Sequence, residues 1–110
     1  MSAESTVVFY GVQFNMRDEE ITALEDRSHP LLVVARRNGL KHYWGNFATP
    51  NSKWLLFIGD KLGILGLENE WEIQIRHDDL SDRMNEVEAK LRLTGIDEPP
   101  ILCMAWQPDS

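Results

Sequence analysis

The chain has 110 residues, 43% apolar and 26% charged. That is the length of one globular domain, which buries roughly two-thirds of its unfolded surface and needs no disulfide or structural metal to hold a core. Eighteen acids against eleven bases give a net charge of -7, which argues against non-specific nucleic-acid binding and against anchoring to an anionic membrane.

The N-terminus carries no signal-peptide pattern, and no stretch approaches the ~18 apolar residues of a membrane span, so the chain is expected to be cytoplasmic. Cys103 is the only cysteine. It excludes an intramolecular disulfide and, among Ile101, Leu102, Met104 and Ala105, reads as a buried, inert thiol.

Alternation of Val8, Tyr10, Val12 and Phe14 predicts a strand over 6–14. Asp18, Glu19 and Glu20 then open a helix whose buried stripe is Ile21 and Leu24, with Asp18 as the cap. Pro30 interrupts it and starts a second helix over 31–37, closed by Arg36 and Arg37 in the last turn and by Asn38 and Gly39. Residues 42–48 read as an aromatic strand with a bulge or close backbone approach at Gly45, and 49–52 as a turn.

Residues 54–58 are continuously apolar, as in a central strand. A second turn is expected at Gly59, Asp60 and Lys61, with a brief return over 62–65. Residues 70–76 alternate, Trp71, Ile73 and Ile75 against Glu70, Glu72, Gln74 and Arg76, and so predict a strand with one wet face. Asp78 and Asp79 open the clearest helix, with Leu80, Met84, Val87 and Leu91 on one stripe and Gly95 as its stop. Residues 101–106 form a last strand, apolar enough to sit inside the sheet.

The expected class is therefore α+β: one domain with an antiparallel or mixed sheet of about five strands and helices on one face, in the order β-α-α-β-β-(β)-β-α-β. That order resembles the split βαβ, ferredoxin-like arrangement with extra strands in its middle, which implies that the two end strands are neighbours near the sheet's centre. The layout hosts many unrelated activities and implies no function.

No chemistry-bearing motif stands out. His29, His42 and His77 lack metal-ligand spacing, no cofactor loop is present, and no nucleophile, base and oxyanion donor form a set, so neither a cofactor nor a catalytic residue is assigned. The informative feature is charge distribution. Residues 1–26 hold six acids and one base, 27–59 hold five bases and no acid, and 60–110 hold twelve acids and five bases.

The acid-free segment mixes Arg27, Arg36, Arg37, Lys41 and Lys53 with Tyr43, Trp44, Phe47 and Trp54. Such a mixture suits an acidic partner or an anion, unless acids elsewhere neutralise it across the fold. Asp79, Asp82, Glu86 and Glu88 on the last helix offer a contrasting acidic face. The sequence thus points to a non-catalytic interaction protein of the antidote, inhibitor or accessory-subunit type, binding a partner protein through a charged face. The alternative is a small-molecule or anion-binding domain with an aromatic pocket around residues 42–54. The candidate partner- or ligand-binding residues are Arg36, Arg37, Lys41, His42, Tyr43, Trp44, Asn46 and Trp54. A homodimer is also open to this chain, through an aromatic face left uncovered by the short first helices.

Overall fold

The computed structural model describes residues 4–47 and 53–108. Four strands, β1 (Ser5–Met16), β2 (Lys41–Asn46), β3 (Trp54–Gly66) and β4 (Ile101–Gln107), form one sheet in the order β2-β3-β1-β4, with every neighbouring pair antiparallel. A 3-10 turn, Asp18–Glu20, runs into the short helix α1 (Ile21–Glu25), followed by α2 (Pro30–Arg37) and, after β3, by α3 (His77–Thr94). The protein is a small α+β fold. None of its described helices is long and apolar enough to cross a membrane.

The two long central strands do not run flat. Gly11 of β1 faces Gly59 of β3, with φ of 156° and 152°, a region closed to side chains. A Cβ on Gly11 would lie 2.0 Å from the carbonyl oxygen of Ile58, and one on Gly59 would lie 2.2 Å from that of Tyr10. The pair lets the ribbon bend, and a register shift between Val8 and Phe9 adds to the bend. The consequence is visible in a side-chain contact. Tyr43 lies in register with Phe57 and Gln13, whereas Gln107 pairs with Ser5 at the other end of β1, yet the Tyr43 hydroxyl donates to Gln107 Oε1 at 2.7 Å. The sheet has folded over on itself.

This folding creates two cores. Outside the bend, Tyr10, Val12, Met16, Leu56 and Ile58 pack against Leu24, Leu32, Ala35, Val87 and Leu91 of the helices. Inside it, Val7 and Phe9 from one half meet Leu55, Phe57 and Phe47 from the other, flanked by Tyr43, Ile64, Cys103 and Ala105. The Phe9 and Phe57 rings are 5.3 Å apart, and Phe47 meets Phe57 edge-on at 5.5 Å. Cys103 Sγ donates to Gln13 Oε1 at 3.6 Å, a second link across the fold. Tyr43→Phe is expected to cost about 1 kcal/mol, the worth of one hydrogen bond, read as a lower urea midpoint at unchanged slope.

The helix signals act as their chemistry suggests, with one exception. Pro30 takes the first turn of α2, and the His29 Nδ1 acceptor receives the Leu31 amide at 3.1 Å. Its Nε2 therefore carries the proton, which it donates to Glu20 Oε2 at 3.1 Å. Gly95 ends α3 at φ 81°, and Val87 and Leu91 bury the expected stripe. Asp18, however, caps nothing. Its carboxylate accepts from Trp54 Nε1 at 2.8 Å and so ties the first turn to β3.

Three expectations are corrected. The described residues form four strands and not about five, because Gly59, Asp60 and Lys61 continue β3 through the bend, and 62–65 are its second half. Glycine here marks a corner inside a strand, where the sequence suggested a turn between two. Second, residues 70–76 are no strand: the segment contributes one bridge, Leu65 to Glu70, while Ile73 lies over Gly63. Ile73 and Ile75 are half-buried while Trp71 is 81% exposed, so the alternation reports an extended chain that rests on the protein only through its second half and needs no ladder. Third, β4 is an edge and not an interior strand, with Leu102, Met104 and Trp106 exposed and Cys103 half-buried. The turn expected at 49–52, with Ala48, lies outside the described residues.

Candidate interaction site

The acid-free segment supplies the turn after α1, all of α2, β2 and the start of β3. Arg27 follows α1 in the left-handed conformation at φ 60°, as the chain turns toward α2. Among the described residues it alone adopts a positive φ without being glycine. Arg36 and Arg37 occupy the last turn of α2, where cations oppose the negative end of the helix dipole. His42 is the second residue of β2, the sheet's edge.

Electrostatics bring three of these groups together. Partial burial holds the His42 imidazole below its ordinary value of 6.5, and the positive charges of Arg27 and Arg36 push it in the same direction. His42 is thus neutral at pH 7, within electrostatic reach of two guanidinium groups. A depressed histidine favours the neutral folded form, so its contribution to stability is present above pH 6.5 and is lost as pH falls through the folded value. Stability should accordingly drop between pH 7 and the folded value in urea titrations, and His42→Gln should flatten that segment of the profile.

Neutralisation across the fold reaches only part of the segment. The described ion pairs of arginine and lysine engage Arg17 with Glu19 and Glu20, Lys41 and Arg83 with Asp60, and Lys90 with Glu86. None of the described ion pairs or side-chain hydrogen bonds involves Arg27, Arg36 or Arg37. In a chain of net charge -7, three guanidinium groups without carboxylate partners are what a site for external anionic groups requires.

Lys41 is drawn the other way. It reaches Asp60 at 3.9 Å in a cleft of about 240 Å³ that is also lined by Gly39, Arg83, Glu86 and Lys90. Arg83 Nε donates to Asp60 Oδ2 at 2.6 Å, and Lys90 donates to Glu86 at 2.7 Å and to the Gly39 carbonyl at 3.2 Å. These bonds fasten α3 to the sheet, and the cleft's charges satisfy one another.

No family model, curated protein or solved structure matches the chain.

The aromatic candidates separate, because successive β2 side chains point to opposite faces. Tyr43 enters the inner core against Phe47, at 6.3 Å between ring centroids, and bonds Gln107. Trp44 packs on the outer face against Trp54 at 5.8 Å, and Trp54 is anchored to Asp18. Asn46 pairs in register with Trp54 at the end of β2. Gly45 makes room for Gln107, whose amide nitrogen would lie 2.6 Å from an added Cβ.

Of the sequence candidates, the structure therefore sets His42 within electrostatic reach of Arg36, keeps Arg37 in the same helical turn as Arg36, ties Lys41 to Asp60 and divides the aromatics between the two faces of the sheet. Arg27 is the residue the candidate set lacked. Its signal was its place at the start of the acid-free run.

Proposed function

We propose that this protein is a non-catalytic interaction protein, of the antidote, inhibitor or accessory-subunit kind, that binds an acidic surface of a partner protein through Arg27, Arg36 and Arg37 beside His42. The observation that supports this reading is that, among the described residues, these arginines have no carboxylate partner in an otherwise acidic chain. Guanidinium forks meet carboxylates in bidentate geometry, and the neutral imidazole adds a hydrogen-bonding group at their side. The acidic remainder of the surface repels the same partner and so restricts docking to this edge.

A ferredoxin-like assignment belongs to the same reading. The order β2-β3-β1-β4, with helices between β1 and β2 and between β3 and β4, supports it, and it implies no activity. A cytoplasmic location is likewise part of the proposal, supported by the free thiol of Cys103. A homodimer is compatible with it, because β2 and β4 are opposite edges of the sheet.

The test is fluorescence anisotropy of a labelled oligoglutamate peptide at low and physiological salt. Arg36→Glu with Arg37→Glu should weaken binding at least tenfold with an unchanged far-UV spectrum, and salt should weaken binding to the wild type. Arg76→Glu with Arg92→Glu changes net charge equally at other exposed positions and should have a small effect. Equal losses from the two pairs would reduce the interaction to net charge and remove the site.

A further inference from the structure

We propose that β4 is the interface of a two-fold homodimer in which the sheets of two copies join edge to edge. The strand lies at the sheet's margin, and among the described residues its outer backbone edge has no strand neighbour. Edge strands are usually guarded by charge, proline or a bulge. Residues Ile101–Gln107 contain no charged residue and no proline, and their pairing with β1 shows no register shift. Pro99, Pro100 and Pro108 bracket the strand and limit pairing to its seven residues.

The side chains complement themselves. Antiparallel pairing about Met104 sets Met104 against Met104 of the second copy, Leu102 against Trp106 and Cys103 against Ala105. Leu102, Met104 and Trp106 share the outer face, where they are 47%, 68% and 55% exposed. Each long apolar residue thus meets another, while the small ones meet on the inner face. Adding Ile101, 51% exposed, the row offers roughly 450 Å² of apolar side-chain surface per copy.

With the backbone edges, two copies would bury about 1,200 Å² in total, the lower limit of a specific interface. That area is consistent with a reversible dimer of micromolar affinity. The strip is also the neutral part of a molecule of net charge -7, so two copies can approach there. Salt screens the remaining repulsion and should tighten this dimer. Binding of acidic groups at the arginine edge responds to salt in the opposite direction, so failure of either proposal is distinguishable from failure of the other.

Sedimentation equilibrium tests the interface. The average mass of the wild-type protein should rise toward twice that of the chain with concentration, and further with added salt, while Met104→Lys stays monomeric with an unchanged far-UV spectrum. A second measurement uses Met104→Cys in a Cys103→Ala background. Residues directly opposite in an antiparallel pair have Cα atoms about 4.5–5.5 Å apart, within disulfide reach. On treatment with diamide, which accepts the two electrons and two protons of the thiol pair, this variant should cross-link at least tenfold faster than Leu93→Cys in the same background, whose site is exposed on α3. A wild-type protein that stays monomeric at about 0.5 mM in both salts, or equal cross-linking rates for the two cysteines, would overturn the proposal.

Discussion

Gly11→Ala is expected to destabilise the protein by about 3–6 kcal/mol, a sum of backbone strain and overpacking. The added Cβ would meet the Ile58 carbonyl oxygen at 2.0 Å and the Gly59 Cα at 2.9 Å, both backbone atoms that no rotamer change can move. Relief would require the β1–β3 ribbon to straighten, which would separate the two halves of the inner core. Gly59→Ala should behave alike, since its Cβ would meet the Tyr10 carbonyl from the other side. Against a total stability of about 5–15 kcal/mol, either change leaves the fold near its threshold. The control is Gly95→Ala, at φ 81° with nothing within 4 Å of its added Cβ, which should cost about 1 kcal/mol. Urea unfolding of the three variants decides the matter, and similar losses at all three positions would contradict a close backbone approach at the bend.

The second large effect is expected inside that bend. Phe57→Ala should cost about 3–5 kcal/mol, because the ring is fully buried and its removal leaves a cavity. Phe57 belongs to the half of the sheet that pairs with β2, and Phe9 to the half that pairs with β4. Their contact at 5.3 Å therefore spans the fold. A double-mutant cycle with Phe9→Leu and Phe57→Leu should return a coupling of about 0.5–1.5 kcal/mol. Additive losses would mean that the halves do not pack through these rings.

The local signals were strong wherever a single residue type settled a backbone conformation. Pro30 and Gly95 mark the start of α2 and the end of α3, and the Val87 and Leu91 stripe places α3 on the sheet. The apolar run at 54–58 marks the centre of the sheet, because burial on both faces removes any reason for alternation. Where the reading failed, the missing information was tertiary. Gly59 has the same composition signature in a corner as in a turn, and only its opposition to Gly11 distinguishes the two.

The apolar β4 reads as interior because composition does not reveal which strand ends the sheet. Asp18 reads as a cap because nothing local announces that Trp54 will reach it. The candidate site was legible in part for the same reason. Charge segregation along the chain is a sequence property, but its survival in three dimensions depends on which carboxylates reach which cations. Asp60 takes Lys41 and Arg83, and Glu20 takes Arg17, while Arg27, Arg36 and Arg37 have no such partner among the described residues. The aromatic string was misleading as a wall because a strand divides its residues between two faces.

The most direct test of the central proposal is a residue-resolved titration: amide chemical shifts of the isotope-labelled protein followed as oligoglutamate is added at low salt. The predicted result is saturable shifts centred on Arg27, Arg36, Arg37 and His42, reversed by salt, with the amides of α3 and β4 unmoved. Shifts scattered over the exposed bases of the whole surface, or none in the turn that carries Arg36 and Arg37, would contradict it.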